Sequence, residues 1–182
     1  MRAGILLLTF LALGTRLVAQ QPTAPLTPPA ADSADVRSLD AILHSLYDVI
    51  SGPAGDRNWD RFRSLFSPGA RLTPSRYPPD SVAAVQVLDV EGYVSRAGAY
   101  FKQNGFHERE AARRVERFGS IAHAFSTYES RHAPQDSVPF TRGINSIQLF
   151  FDGTRWWVVT VFWDAERPGL TIPREYLPPS AP

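Results

Sequence analysis

The sequence contains no cysteine among its 182 residues. This absence excludes disulfide bonds, thiolate metal ligands and a cysteine nucleophile. It also excludes the attachment of a lipid to a cysteine at the end of a signal peptide. A fold made from this chain must therefore rest on packing and hydrogen bonding alone.

The short motifs of several enzyme classes are missing as well. The sequence holds no HExxH metal site, no GxGxxG dinucleotide loop and no phosphate-binding P-loop. It also lacks the GxSxG motif that presents the serine nucleophile of many hydrolases. Histidine and acidic residues show no clustered metal-ligand spacing. We therefore expect no metal ion and no cofactor.

Neither sign of charge is in excess. Lys and Arg number 19 and Asp and Glu number 18, so the formal net charge is +1. Without residues 1–19, which hold Arg2 and Arg16, the count is 17 basic against 18 acidic residues, about −1. In the most charged stretch, EREAARRVER (108–117), acids interleave the arginines, which is typical of a solvated face. We expect no binding of nucleic acid.

The N-terminal segment has the layout of a secretory signal peptide. Arg2 precedes the short apolar run ILLLTFLAL (5–13), and polar residues follow from Gln20. The run is too short to span ~30 Å of hydrocarbon comfortably, although an uncleaved anchor is the alternative. Cleavage after Ala19 predicts an exported, periplasmic or secreted protein with no membrane contact. Export without cysteine fits a bacterial envelope.

Composition divides the rest of the chain into one domain and two flanking segments. Residues 20–34 are rich in Pro, Ala and Thr and indicate a linker, and residues 177–182 form a similar tail. Between them, residues 35–176 form a single expected domain. A hydrophobic content of 43% and an aromatic content of 12% are sufficient for an ordinary globular core.

The spacing of apolar residues predicts helices first and strands afterwards. A period of 3.6 predicts three helices, over 36–50, 56–66 and 89–101, with Asp56 and Asp89 as caps of the last two. A period near two predicts strands over 106–118, 121–131, 140–151 and 155–164, with a shorter strand at 70–73. The segment 106–118 could also be a charged helix. This order predicts an α+β fold in which a strongly curved antiparallel sheet wraps three N-terminal helices.

The residues of the strand region resemble a known superfamily. The segments GSIAHAFSTYESR and FTRGINSIQLFFDGTRWWVVTVFWDAE, after the helices, resemble the nuclear transport factor 2-like superfamily and its SnoaL-like branch. The resemblance covers residues 36–166. It implies a cone-shaped α+β fold with a pocket at its wide end. The superfamily includes isomerases, dehydratases, cyclases and hydrolases, and also non-catalytic binding and dimerisation modules, so the fold does not choose a function.

The Asp152-Gly153 pair predicts a two-residue hairpin loop in which Phe151 faces Thr154. In this register one face of the hairpin is apolar with a few polar residues, as in a ligand pocket. The other face is rich in tryptophan and suits a homodimer interface. Together with one residue of the preceding strand, the predicted pocket contains Tyr128, Asn145, Trp156, Thr160 and Phe162. The predicted interface contains Arg142, Gln148, Trp157 and Trp163. The alternative is that both faces are ordinary core.

His123 and Asp164 are the candidate catalytic residues. Some enzymes of the superfamily use a histidine with an aspartate for proton transfer, and a histidine near neutral pKa suits that role. His123 lies between two alanines, which leave room around it. The alternative is a structural histidine bonded to the backbone or to a tyrosine hydroxyl. Strand parity places Glu129 on the His123 face, as a rim charge near Arg131, and Tyr128 on the opposite face.

Three functions follow from these observations. The first is a small-molecule binding or accessory module with an apolar pocket. The second is a cofactor-independent dehydratase or isomerase that uses His123 and Asp164 as an acid–base pair. The third is a structural dimer whose pocket is filled by tryptophan side chains. A buried His123 out of reach of any cavity would count against the second.

Overall fold

The computed structural model of the protein describes residues 27–78 and 82–179. The predicted signal peptide, the first part of the linker and the last residues of the tail lie outside this part of the chain. Among the described residues no helix is both long enough and apolar enough to cross a membrane.

Four α-helices lie in the described part of the chain, and each begins at a polar cap. They are α1 (Ser33–Val36), α2 (Leu39–Asp48), α3 (Trp59–Ser64) and α4 (Val90–Phe101). The caps are Asp32, Ser38, Asn58 and Asp89, whose side chains accept hydrogen bonds from backbone amides of the first turn.

The helix bounds confirm one prediction and correct two. Asp89 caps α4, which ends at Phe101 as predicted. The single helix expected over 36–50 is instead two, because Ser38 leaves the helical conformation and its Oγ accepts from the amide of Ala41 at 3.1 Å. The second predicted helix begins at Trp59, since Asn58 rather than Asp56 is its cap.

Six strands form one sheet. They are β1 (Phe66–Arg76), β2 (Ala84–Val85), β3 (His107–Phe118), β4 (Ile121–Arg131), β5 (Thr141–Phe151) and β6 (Trp156–Ala165), in the spatial order β2-β1-β6-β5-β4-β3. The ambiguous segment 106–118 is therefore a strand, as favoured. A short 3₁₀ turn, Arg174–Tyr176, follows the last strand.

One strand pair departs from the predicted antiparallel sheet. Strand β1 is longer than the expected strand at 70–73 and pairs with β6 in parallel. The chain between β1 and β6 contains α4 and four strands, a connection long enough to return to the starting end of β1, as parallel pairing requires. The α+β class itself is confirmed.

The core lies between the helices and the inner face of the sheet. Ile42 and Leu43 of α2, Phe62 of α3 and Ile147 of β5 are at most 1% exposed. The register of β3 shifts after Glu110 and that of β6 after Val158. Such bulges increase the bend of a strand, which lets long strands curl around the helices.

The hairpin between β5 and β6 does not have the predicted two-residue loop. Asp152 donates its amide to the carbonyl of Arg155 at 3.1 Å, and its Oδ1 accepts from the amides of Thr154 and Arg155 at 2.8 Å each. These bonds stabilise a four-residue turn. Phe151 consequently pairs with Trp156 instead of Thr154, and the predicted register is wrong.

A bulge in β6 then changes which side chains face inward. Leu149 pairs with Val158 and Gln148 pairs with Thr160, so Val159 is the extra residue. Before the bulge the inward residues, Trp156 and Val158, are those predicted. Beyond it the inward residues are Val161 and Trp163, because one added residue reverses the alternation of the strand.

Candidate functional site

A cavity of about 480 Å³ lies between the inner face of the sheet and the helices. It sits toward the sheet end where β1, β4 and β6 finish and β3 and β5 begin. This volume is within the range of small-molecule sites, which are largely apolar with a few polar groups. Its apolar and aromatic wall includes Leu46, Phe62, Tyr93, Ala97, Val161 and Trp163.

Glu108 is the acidic residue in the wall of this cavity. Glu108 is only partly accessible to solvent. Ser130 Oγ donates a hydrogen bond of 2.7 Å to Glu108 Oε2. Burial raises the pKa of Glu108 to about 7, against hydrogen bonds from Ser130 and Asn145 that lower it. The group can therefore take up or release a proton near neutral pH.

A chain of hydrogen bonds connects the cavity wall to a second glutamate. Asn145 Nδ2 donates to the Tyr47 hydroxyl at 3.1 Å, and the Tyr47 and Ser126 hydroxyls lie 2.7 Å apart. Ser126 Oγ in turn donates to Glu110 Oε2 at 2.5 Å. Ser126 donates its single hydroxyl proton to Glu110, so the Tyr47 hydroxyl must be the donor in its bond with Ser126. Among the described residues, every side-chain nitrogen or oxygen atom that is fully shielded from solvent has a hydrogen-bond partner.

Three tyrosines of the cavity wall stay protonated. Burial, together with the nearby charge of Glu108, raises the pKa values of Tyr47, Tyr93 and Tyr128 far above the usual range. The Tyr47 proton is already used within the network, and Tyr128 bonds to Thr141. The Tyr93 hydroxyl has no hydrogen-bond partner among the described residues. Its proton is therefore not used by any of these residues and can be donated to a molecule in the cavity.

The structure divides the predicted pocket residues between the two faces of the sheet. Tyr128 and Asn145 line the cavity, at 5% and 7% exposure. Trp156 is buried on the inner face, where its ring centre lies 5.3 Å from that of Phe151, but it does not reach the cavity. Thr160 and Phe162 lie on the outer face, contrary to prediction, because the bulge at Val159 turns them away.

The predicted interface residues divide in a similar way. Arg142, Gln148 and Trp157 lie on the outer face. Arg142 is paired there with Glu166 at 2.8 Å, and Trp157 Nε1 donates to Asp152 Oδ2 at 2.6 Å. Trp163 instead lines the cavity, with its ring in edge contact with Tyr93 at 6.4 Å between centres. The bulge explains this correction as well.

The structure does not bring His123 and Asp164 together. His123 lies on the outer face, where its Nε2 is 2.9 Å from Ser146 Oγ. His123 pairs with Gln148 of β5, which in turn pairs with Thr160 of β6. Asp164 is four residues beyond Thr160, so it is two strands away from His123 and about 13 Å further along the strand direction. Asp164 accepts from Tyr77 at 2.8 Å and from Arg167 at 2.9 Å. The predicted acid–base pair is therefore not assembled, and neither residue lines the cavity.

Tyr128 and Glu129 lie on the faces that parity predicted. Tyr128 is inside, and Glu129 is on the same face as His123. Glu129 Oε2 accepts from Arg131 at 3.0 Å and from Arg109 at 2.8 Å. In the described part of the chain, no group of three or more histidine or acidic residues could hold a metal ion.

Sequence reasoning missed the three residues that give the cavity its chemistry. Glu108 begins a run of charges that predicts a solvated face, and nothing in that run distinguishes it from Glu116. Tyr47 and Tyr93 lie in helices whose apolar periodicity conceals a hydroxyl. The one available signal is the pairing of a strand over 106–118 with a strand over 121–131, which places Glu108 opposite Ser130.

Comparison of the structure with solved structures identifies the fold. A nuclear transport factor 2-like protein of unknown function from Silicibacter pomeroyi matches with a TM-score of 0.50 and 11% identity, over 71% of this chain and 94% of that one. Proteins described in the same words from Shewanella baltica and Methylobacillus flagellatus match with a TM-score of 0.42 each. Their identities are 15% and 16%, over 71% of this chain and 98% and 95% of theirs.

The protein therefore has the nuclear transport factor 2-like fold, a curved sheet wrapped around helices with a cavity between them. The fold that the sequence resemblance implied is confirmed. At these identities the likeness shows the fold alone. The sequence matches no protein-family model and no curated protein.

Proposed function

We propose that the protein binds a small, mostly apolar organic molecule in the cavity between the sheet and the helices. The observation that carries this proposal is the composition of the wall. Aromatic and aliphatic side chains surround about 480 Å³ of space, while Glu108, Tyr93 and Asn145 offer polar groups from separate elements. Binding sites for small molecules combine these features. The tryptophan-filled structural alternative loses its support, since Trp163 lines the cavity and leaves space within it.

A thermal-shift screen of steroids, aromatic acids and polyketide-like molecules tests the proposal. A ligand that binds only the folded state raises the melting temperature. The variant Ala97→Phe fills the cavity, whereas Ala99→Phe adds the same side chain on the exposed face of the same helix. We expect a hit whose shift is lost in Ala97→Phe and kept in Ala99→Phe. Equal shifts in both variants would contradict the proposal.

A second candidate function is proton transfer by Glu108, in a cofactor-independent isomerase or dehydratase. The specific observation is a carboxyl group whose pKa is raised to about 7 in the cavity wall, near the unpartnered Tyr93 hydroxyl. General acid–base catalysis is most efficient when the pKa of the group is near the working pH. Glu108 thus replaces the predicted His123–Asp164 pair in this hypothesis.

The chemistry of this candidate is a simple proton shift. The Glu108 carboxylate would take a proton from the carbon between a carbonyl group and a double bond. The electron pair of that C–H bond would enter a dienolate, whose oxygen accepts a hydrogen bond from Tyr93. Glu108 would then return the proton to the far end of the former double bond, which gives the conjugated isomer.

Conversion of 3-cyclohexen-1-one to its conjugated isomer, followed by ultraviolet absorbance, tests this candidate. We expect a rate above that of buffer that falls at least about a hundredfold in Glu108→Gln, within the range for loss of a general base. Glu110→Gln is the matched control, because Glu110 also bonds to a serine of β4 but does not line the cavity. No rate above buffer, or equal losses in both variants, would reject the enzyme candidate and leave ligand binding in place.

Two expectations from the sequence remain part of the proposal. Export is supported by the layout of residues 1–19 and is tested by fractionation and N-terminal sequencing of the mature protein.

A homodimer is supported by the exposed apolar side chains of the outer face, among them Phe150, Val159 and Phe162. Sedimentation equilibrium tests it, and a monomer at high protein concentration would reject the dimer.

A further inference from the structure

Two arginines from different elements stand at the opening of the cavity. Arg76 ends β1 and Arg96 belongs to α4, and both side chains line the cavity. Arg96 is exposed and Arg76 partly so, which places them on the solvent side of the wall. Both donate to one acceptor, Gln86 Oε1, with Arg76 Nη2 at 2.8 Å and Arg96 through Nη1.

This arrangement leaves two positive charges beside a single neutral acceptor. Over residues 27–78 and 82–179 neither arginine has a carboxylate within ion-pair distance. Arg61, Arg63 and Arg142, in contrast, each pair with a carboxylate. Partial burial and the charge of Arg96 lower the pKa of Arg76. Like charges held together in this way favour an anion between them.

The wall of the cavity also carries a group of the other sign, on a distant strand of the sheet. Glu108 lies on β3, four strands away from Arg76 in the order of the sheet. Between them the wall is apolar and aromatic, with Tyr93, Val161 and Trp163. A ligand with an anionic group would avoid Glu108 when that residue is ionised, and would place its charge at the arginines.

We propose that Arg76 and Arg96 bind the anionic group of an amphiphilic aromatic ligand, a carboxylate or sulfonate, whose apolar body fills the cavity. The inference rests on the proposed binding function and names its ligand class. Guanidinium groups suit this role because their planar donor forks match the oxygens of such anions. Release of Gln86 Oε1 would free two donors for the ligand.

Two fluorescent probes that differ by one group test the inference. 8-Anilinonaphthalene-1-sulfonate is N-phenyl-1-naphthylamine with an added sulfonate, and both become fluorescent in apolar surroundings. We expect Arg76→Gln/Arg96→Gln to weaken binding of the sulfonate at least about tenfold, as for lost charged hydrogen bonds. Binding of the neutral probe should change by less than about twofold in the same variant.

The double variant Arg37→Gln/Arg71→Gln is the matched control. It removes the same charge from two exposed arginines that do not line the cavity, and it should leave both Kd values unchanged. Added salt should weaken binding of the sulfonate probe to wild type and have little effect on its binding to the Arg76/Arg96 variant. Equal loss in the two double variants, or equal loss of the two probes, would overturn the inference.

The outcomes for the inference and for the proposed function are separable. The proposed function stands, and the anion inference falls, if Ala97→Phe abolishes binding of the neutral probe while the Arg76 and Arg96 substitutions leave the sulfonate unaffected. Both fall if wild type binds neither probe, or if Ala97→Phe leaves both probes bound as tightly as Ala99→Phe does.

Discussion

Ser130 donates a hydrogen bond of 2.7 Å to Glu108, its partner across the β3–β4 pairing. Ser130 is fully buried, so it holds the carboxyl group in a fixed position at the cavity wall. The hydrogen bond favours the charged carboxylate, yet the pKa is raised to about 7 from an ordinary 4.5. Burial therefore outweighs hydrogen bonding at this residue.

The first prediction concerns the pH dependence of stability at Glu108. Because its folded pKa is raised, the folded state holds more protons than the unfolded state between about pH 4.5 and 7, and stability falls as pH rises through this window. Glu108→Gln removes the titrating carboxyl group and therefore this fall in stability with rising pH. We expect the free energy of unfolding of the variant, relative to that of wild type, to rise by at most about 3 kcal/mol from pH 4.5 to pH 8. Urea unfolding measures this difference. Exposed Glu116→Gln is the control, and parallel pH curves for wild type and Glu108→Gln would contradict the prediction.

Asp35 should show the opposite pH dependence. Its carboxylate accepts from Arg61 at 2.8 and 2.9 Å and from Ser45 at 2.8 Å, and the Arg61 bonds lower its pKa below the ordinary 3.8. Stability from this group is present above pH 3.8 and is lost as pH falls through the folded pKa. Asp35→Asn should cost about 2 kcal/mol at pH 7, and the difference should shrink below pH 3.8.

A matched control for Asp35 is Asp60→Asn, since Asp60 pairs with Arg63 but its side chain is 81% exposed. An exposed pair of this kind contributes less than about 1 kcal/mol. Chemical denaturation at pH 7 and pH 3 distinguishes the two sites. A loss at Asp35 that is the same at both pH values would mean that packing, not charge, explains it.

The hydroxyl group of Tyr47 should contribute to the stability of the fold. Tyr47→Phe keeps the ring and removes the group between Asn145 and Ser126, so both partners lose a hydrogen bond in a buried place. We expect a loss of about 1–3 kcal/mol in the free energy of unfolding. Tyr100→Phe changes an exposed tyrosine at the cavity and should cost less than about 0.5 kcal/mol. Equal effects of the two substitutions would show that the network contributes nothing to stability.

Gly143 should not tolerate a side chain. It pairs with Tyr128 across the sheet, and an added Cβ would lie 2.5 Å from the Tyr128 hydroxyl oxygen and 2.7 Å from its Cζ. The added Cβ would also overlap the Asp164 carbonyl oxygen of β6, so Gly143→Ala must displace both this ring and that backbone, at a cost of about 1–3 kcal/mol. At Gly98 an added Cβ meets only the Trp59 ring at 3.4 Å, and alanine favours the helix. A Gly143→Ala melting temperature at or above that of Gly98→Ala would reject this prediction.

The sequence predicted the classes and order of the elements better than it predicted their faces. Helix α4 and strand β3 follow from a cap at Asp89 and a change of period at Phe106, both of which are local signals. The register of the β5–β6 hairpin depends on Asp152, which stabilises a four-residue turn, and the inner face of β6 beyond Val158 depends on an extra residue at Val159. Neither leaves a mark in the apolar pattern. Because of the extra residue, Trp163 lies on the inner face and Phe162 on the outer face, the reverse of the prediction.

The candidate site shows the same limit more strongly. Tyr128 and Asn145 were found because strand parity places them inside, and parity is a local rule. The apolar pattern does not reveal Glu108, because α2, α4 and the four strands that form the cavity wall with it meet it only in the folded chain. The chemistry of histidine makes His123 a candidate in the sequence, but it lies on the outer face and does not line the cavity.

A crystal structure with N-phenyl-1-naphthylamine tests the central claim, ligand binding in the cavity, most directly. We expect the probe in the cavity, packed against Tyr93, Trp163 and Ala97. A second groove, of about 390 Å³, lies on the outer face beside Phe162 and Leu170. Occupancy of that groove alone, with the cavity empty, would contradict the account.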